Sequence, residues 1–133
     1  MRFNNKTYEE KFLEIFDSII NDFDLSVDKL DENTMLLSST TYHLEIFITF
    51  DGAFVRYKNL NTGIKYDISN YLALKTEDID RLNLSDSDII SIYIEESLLV
   101  RARVLYRKYK DLLKGGTDWF KDYQNSEYFD DLN

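Results

Sequence analysis

The chain has 133 residues, which bounds a single domain (1–133) large enough to form a core without disulfides or metal staples. Its 25 acidic residues outnumber 16 basic ones, for a net charge of −9. That balance works against phosphate-backbone binding, where Lys and Arg must displace counterions, so no nucleic-acid partner is expected. With no cysteine and one histidine, His43, the chain excludes thiolate chemistry, catalytic triads and histidine-based metal clusters.

No run of 18 apolar residues exists, and the opening MRFNNKTYEE lacks the apolar stretch of a signal peptide. These features and the missing cysteines predict a soluble, cytoplasmic protein with no membrane span. Aromatic residues at 15% argue for a packed globule instead of a disordered chain.

In chain order, Thr7-Tyr-Glu-Glu10 is a capping box, with Thr7 as cap and Glu10 returning the bond. Tyr8, Phe12, Ile15, Phe16, Ile19, Ile20 and Phe23 follow at helical spacing, predicting an amphipathic helix to about Asp22 that covers a sheet. From Leu25 the period shifts toward two: Leu25–Leu30 and Thr34–Ser39 are candidate strands around a turn at Asp31–Asn33. Tyr42–Phe50 and Ala53–Lys58 then form a hairpin, which Asp51-Gly52 suits as a two-residue type I′ turn. The register that follows puts Phe50 opposite Ala53, Ile48 opposite Val55 and Ile46 opposite Tyr57, all core with Leu44. On the reverse face it sets Thr49 against Phe54, Phe47 against Arg56, and Glu45 against Lys58 as a charge pair.

After a turn at Asn61–Gly63, Ile64, Tyr66 and Ile68 alternate along a further strand. A short helix from Ser69 or Asn70 to Leu74 and a helical turn over Thr76–Leu82 come next. Residues Asp86–Lys114 read as one long helix of about 42 Å, capped by Ser85 and Asp88, stapled by Leu84 and Ile89, and closed by Gly115-Gly116. Ile90, Ile94, Leu98, Ala102, Leu105, Tyr109 and Leu112 share its apolar face; Arg103, Arg107, Lys110 and Lys114 form a basic stripe opposite. The β-branched run Ile89–Ile94 leaves a strand as the competing reading there. Thr117 caps a last short helix over Asp118–Tyr123, and the tail from Gln124 is expected to fray. The whole is an α+β domain: an N-terminal amphipathic helix, an antiparallel meander of three to five strands, a long C-terminal helix and a short terminal one.

The chemistry-bearing groups are few. Asp86 with Asp88, and Asp118 with Asp122, have spacings that helix-start preferences already explain, so no metal is assigned, and no cofactor. Glu95 and Glu96 on a buried helix resemble a desolvated acid, but pairing with Arg101 or Arg103 is the plainer fate. His43 sits on the reverse face of the hairpin as a surface residue. The acidic run Glu77, Asp78, Asp80, Asp86 and Asp88 is the densest negative surface and the first place to seek a basic partner. Phe47 and Phe54 form a partner-binding patch if the reverse face is bare, and ordinary core if an element such as Trp119-Phe120 covers it; the cost of exposed aromatics favours cover.

The sequence TYEEKFLEIFDSII, the meander around LEIFITFDGAFVRYKN, the following YDISNYL and the long helix are together similar in outline to small acidic immunity proteins encoded beside bacterial polymorphic toxins. This resemblance implies a non-enzymatic protein that binds a basic toxin domain, such as a nuclease, through an acidic surface. The alternative is a self-associating adaptor module; the chain is expected as monomer or homodimer.

Overall fold

The computed structural model describes residues 7–84 and 90–132, and of residues 90–93 the backbone alone. The cap and staple expected at Ser85, Asp88 and Ile89, and the candidate contacts Asp86 and Asp88, lie outside the described residues.

Helices α1 (Tyr8–Ile15) and α2 (Asp17–Asp22) open the chain. The capping box forms as predicted: Glu10 N–H donates to Thr7 Oγ1 at 3.2 Å, and the Glu10 carboxylate accepts from Thr7 N–H. One continuous helix was expected here; instead the backbone bends at Phe16 (φ −95°, ψ 9°). The Phe16 and Ile20 amides still donate to Phe12 and Phe16 carbonyls at 2.9 Å each, so the hydrogen-bond ladder crosses the bend. Asp24 (φ 53°) closes α2 in the left-handed conformation, and Leu25 N–H reaches back to the Ile20 carbonyl.

A five-stranded antiparallel meander follows: β1 (Ser26–Asp31), β2 (Thr34–Ser38), β3 (Tyr42–Thr49), β4 (Gly52–Asn59) and β5 (Lys65–Asp67), in spatial order 1-2-3-4-5. The hairpin is real, but its register differs from the expected one. Thr49 pairs with Gly52, Ile48 with Ala53, Phe47 with Phe54, Ile46 with Val55 and Glu45 with Arg56. The corner is Phe50–Asp51, and of the turn residues only Gly52 has positive φ (119°), whereas a type I′ turn needs two such residues. The shift is two residues, so every side chain keeps its face while its partner changes. Phe50, expected in the core, is carried onto the corner and is 82% exposed. Glu45 pairs with Lys65 at 3.0 Å, not with Lys58.

One face of the sheet, with Met35, Leu37, Tyr42, Leu44, Ile46, Val55, Tyr57 and Tyr66, is buried. Against it pack Phe12, Phe16 and Ile19 of the opening helices, and residues of α4 (Ile90–Lys108), α5 (Lys110–Leu113) and α6 (Asp118–Gln124). Each such side chain contributes about 1.5–3 kcal/mol by leaving water. Between sheet and α4 lie α3 (Ser69–Leu74) and a 3-10 turn at Asp78–Arg81. Residues Ile90–Ile94 are helical, which settles the helix-or-strand alternative. Leu98, Ala102, Leu105, Tyr109 and Leu112 are all buried, as the periodicity predicts. The long helix is interrupted at Tyr109 (φ −119°, ψ 38°), so it is not the single rod expected. Gly115 (φ 89°) then ends α5, with Gly115 N–H donating to Leu112 and Gly116 N–H to Asp111.

The tail is ordered where fraying was expected. Asp131 bridges Tyr66, Leu132 N–H donates to the Lys65 carbonyl at 3.0 Å, and Asp67 N–H donates to Asp130 at 3.1 Å. Phe129 packs on Tyr66 and Tyr123 (5.6 and 5.3 Å between centroids), an aromatic anchor that a polar tail composition conceals. The tail thereby covers the β5 edge. At the other edge, β1 carries a bulge between Lys29 and Asp31, which together with its charges opposes edge-to-edge pairing. Among the described residues no helix is long and apolar enough to cross a membrane.

Candidate interaction surface

Of the described members of the acidic run, Glu77 and Asp78 are exposed and Asp80 is buried. The Asp78–Arg81 turn folds one of its carboxylates inward: Asp80 accepts from Glu77 N–H at 2.9 Å and is 2% exposed. Arg107 grips it with two bonds, Nε to Oδ1 at 2.9 Å and a terminal nitrogen to Oδ2 at 2.7 Å. That guanidinium holds the Asp80 carboxyl below the usual carboxylate range, against the opposing effect of burial. Arg107 also meets Glu77 at 3.0 Å, Lys108 lies 3.7 Å from Glu77, and Arg103 donates to the carbonyls of Asp80 (3.2 Å) and Leu82 (2.7 Å). Two members of the supposed basic stripe thus clamp the supposed acidic patch. Asp80 is an internal anchor and not a surface contact; Asp78 alone of the described run is left exposed and unneutralised.

Other candidates resolve similarly. Glu95 is 3% exposed and pairs with Lys11 of α1 at 3.0 Å, not with an arginine of its own helix. Arg101 Nε donates to the Ala53 carbonyl at 3.2 Å. Asp122 accepts from Tyr71 at 2.5 Å and pairs with Lys75 at 3.2 Å, which holds its carboxyl low. A groove of about 390 Å³ lies beside the Asp78–Arg81 turn, lined by Ile15, Ile79, Leu99 and Tyr106 among others. Its polar lining is largely engaged: Asp80 with Arg107, Arg103 with carbonyls, and Tyr106 with Asp22.

The negative charge concentrates elsewhere. Residues 9–32 carry nine acids and two bases, a net charge of −7, of which −5 lies in α1, α2 and β1 and the rest at Asp24 and Glu32. All these acids but Glu9 are exposed. Lys11 is taken by Glu95, and Lys29 lies 3.9 Å from Glu9 and 3.6 Å from Glu32. Counting charge along the first quarter of the sequence reveals this excess; attention to the denser run at 77–88 hides it.

The reverse face of the sheet is the remaining surface. Trp119 and Phe120, the expected cover, pack on the opposite face, against Tyr57 (4.9 Å) and Tyr66 (5.0 Å). Among the described residues no helix lies over the reverse face, and Trp119-Phe120 does not cover it. Phe47 and Phe54, brought opposite by the observed register, stack with centroids 5.4 Å apart and planes at 17°. The Arg56 guanidinium lies over Phe47 at 4.6 Å. Leu36, His43, Glu45, Lys58, Lys65 and Asp67, all half-buried, share the face, and Asp28 of β1, opposite Leu36, adds an exposed carboxylate at its edge.

Comparison with protein-family models, curated proteins and solved structures finds no match to this chain.

Proposed function

We propose that the chain is a non-enzymatic protein-binding domain, acting as an immunity protein that caps a cognate toxin domain. The observation that carries this reading is the stacked Phe47–Phe54 pair, with Arg56 over it, on a sheet face that the described helices leave open. Aromatic and arginine side chains on a rigid scaffold are the residues that dominate protein–protein binding energy. The sheet holds them without cost in order, since both strands are fixed by the hairpin and by neighbours on either side. The acids of residues 9–32 supply the long-range attraction that a basic toxin would feel.

The test is capture from the native host with the tagged protein, using wild type beside the Phe47→Ser/Phe54→Ser variant. One dominant partner, encoded beside this gene and lost with the double substitution, is expected. Loss of two central aromatic contacts should weaken binding by roughly thirty-fold or more, the factor for about 2 kcal/mol. Equal capture by the variant, with its fold intact by circular dichroism, would remove this face from the reading. Recovery of only untagged copies of the chain itself would replace it with the adaptor alternative.

A further inference from the structure

We infer that the open sheet face takes an acidic, aromatic-bearing segment of a partner protein, its carboxylates on Arg56 and Lys58 and its ring on the Phe47–Phe54 stack. The inference rests on the protein-binding reading above and adds the chemistry of the partner. Phe54, Arg56 and Lys58 alternate along β4 and so project to one face, spaced about 6.8 Å apart. They make a line of aromatic, cation and cation that matches an extended segment with ring, carboxylate and carboxylate at alternate positions.

Among the described residues neither cation closes an ion pair, although the Glu45 and Asp67 carboxylates stand opposite Arg56. Arg56 Nε is buried and has no hydrogen-bond partner. Its register neighbours are Glu45 and Asp67, but Lys65 holds Glu45 at 3.0 Å, and Asp67 accepts from Ser69 N–H at 2.8 Å. Lys58 stands opposite His43 on one side and Lys65 on the other. Lys58 and Lys65 are like charges directly opposite on the sheet; Glu45 offsets their repulsion at Lys65, and an anion laid beside Lys58 would offset it further. A buried N–H donor without an acceptor is a further standing cost that an incoming carboxylate removes.

Carboxylates of a short protein segment fit better than the phosphates of a nucleic acid. An extended polyanion would have to approach a chain of net charge −9, whereas two or three local carboxylates meet only the local field.

The experiment is an NMR titration of the full chain, following the Arg56 Nε–H signal and the amides of β3 and β4. Three probes are compared: a short peptide alternating Glu and Tyr, a Lys/Tyr peptide of the same length, and oligothymidylate. The Glu/Tyr peptide is expected to move the Arg56 and Phe54 signals saturably. Lys58→Gln alone should weaken it measurably, and Arg56→Gln with Lys58→Gln by at least about tenfold. Equal response to the Lys/Tyr peptide would reduce the face to a stacking platform and overturn the inference, as would tighter binding of oligothymidylate or shifts confined to other surfaces. If the captured partner is lost with Phe47→Ser/Phe54→Ser but held by Arg56→Gln/Lys58→Gln, this inference falls and the protein-binding reading stands. If neither pair of substitutions matters, that reading falls as well.

Discussion

Asp80→Asn tests the finding that this carboxylate of the acidic run is internal architecture. The substitution keeps the shape and removes the charge at a side chain 2% exposed. It leaves Arg107 with one neutral acceptor where two charged bonds stood, at 2.9 and 2.7 Å. Breaking a fully buried pair costs about 3–5 kcal/mol. Here the Arg107 side chain is 31% exposed and keeps Glu77 at 3.0 Å, so water and the second carboxylate recover part of that. The expected loss is therefore about 2–3 kcal/mol. For a domain of this size that lowers Tm by roughly 8–15 °C, readable by calorimetry or by circular dichroism at 222 nm. Asp78→Asn, exposed and outside the network, serves as the control and should change stability by no more than about 0.5 kcal/mol.

The pH dependence has a definite sign. Because the folded-state pKa of Asp80 lies below its ordinary value of 3.8, the unfolded chain binds that proton more readily than the folded one. Its stabilisation is full above the unfolded value and is lost as pH falls through the folded one. The gap between wild type and Asp80→Asn should stay constant from about pH 5 to 8 and narrow below about pH 4. Equal stability of Asp80→Asn and Asp78→Asn at neutral pH would refute the clamp and return Asp80 to the surface.

Phe50→Ser should leave stability within about 0.5 kcal/mol, because the ring is 82% exposed; a loss of several kcal/mol in urea unfolding would restore the register in which Phe50 faces the core. Gly116→Ala should destabilise by about 1–3 kcal/mol, since an added Cβ would lie 2.0 Å from Asp111 Oδ1 and 3.1 Å from the Asp111 carbonyl. An unchanged Tm would show that the α5–α6 connection relaxes freely. Deleting the chain from Glu127 onward should cost about 2–4 kcal/mol, removing Phe129 from Tyr66 and Tyr123 and opening the β5 edge. An unaltered unfolding midpoint would mean that the tail is not part of the cooperative unit.

What the sequence disclosed follows from which patterns it can encode. Period-two and period-3.6 spacing report faces, so Leu44, Ile46, Val55, Tyr57, Leu98 and Leu105 were legible as core. Partners were not. Asp51-Gly52 has the composition of a type I′ turn, but the chain turns one residue earlier, at Phe50–Asp51, and leaves the positive φ to Gly52. A two-residue slip preserves faces, so burial survives an error that misassigns each cross-strand pair. Asp80 shows the same limit in electrostatics. A carboxylate in an acidic run reads as surface, and nothing local to it announces Arg107, 27 positions away. The α4 arginines gave a faint signal, since Arg103 and Arg107 lie one turn apart and face the same way. Glu95 and Lys11 likewise belong to helices far apart in sequence.

The charge layout separates two tasks that the acidic-run reading had merged. Seven of the nine net negative charges arise in residues 9–32, nearly all on exposed side chains whose field acts through solvent. Fields of this kind raise association rates and fade with salt. The Phe47–Phe54–Arg56 cluster acts only on contact, where desolvation makes a few groups decisive and salt matters less. Neutralising Asp17 and Asp24, at the opening helices and off the sheet face, should therefore slow partner association and flatten its salt dependence while leaving dissociation nearly unchanged. Removing the two phenylalanines should do the reverse, speeding dissociation with little effect on the encounter. If both changes act on the same rate constant, steering and anchoring share one surface, and the division between helix layer and open sheet face is wrong.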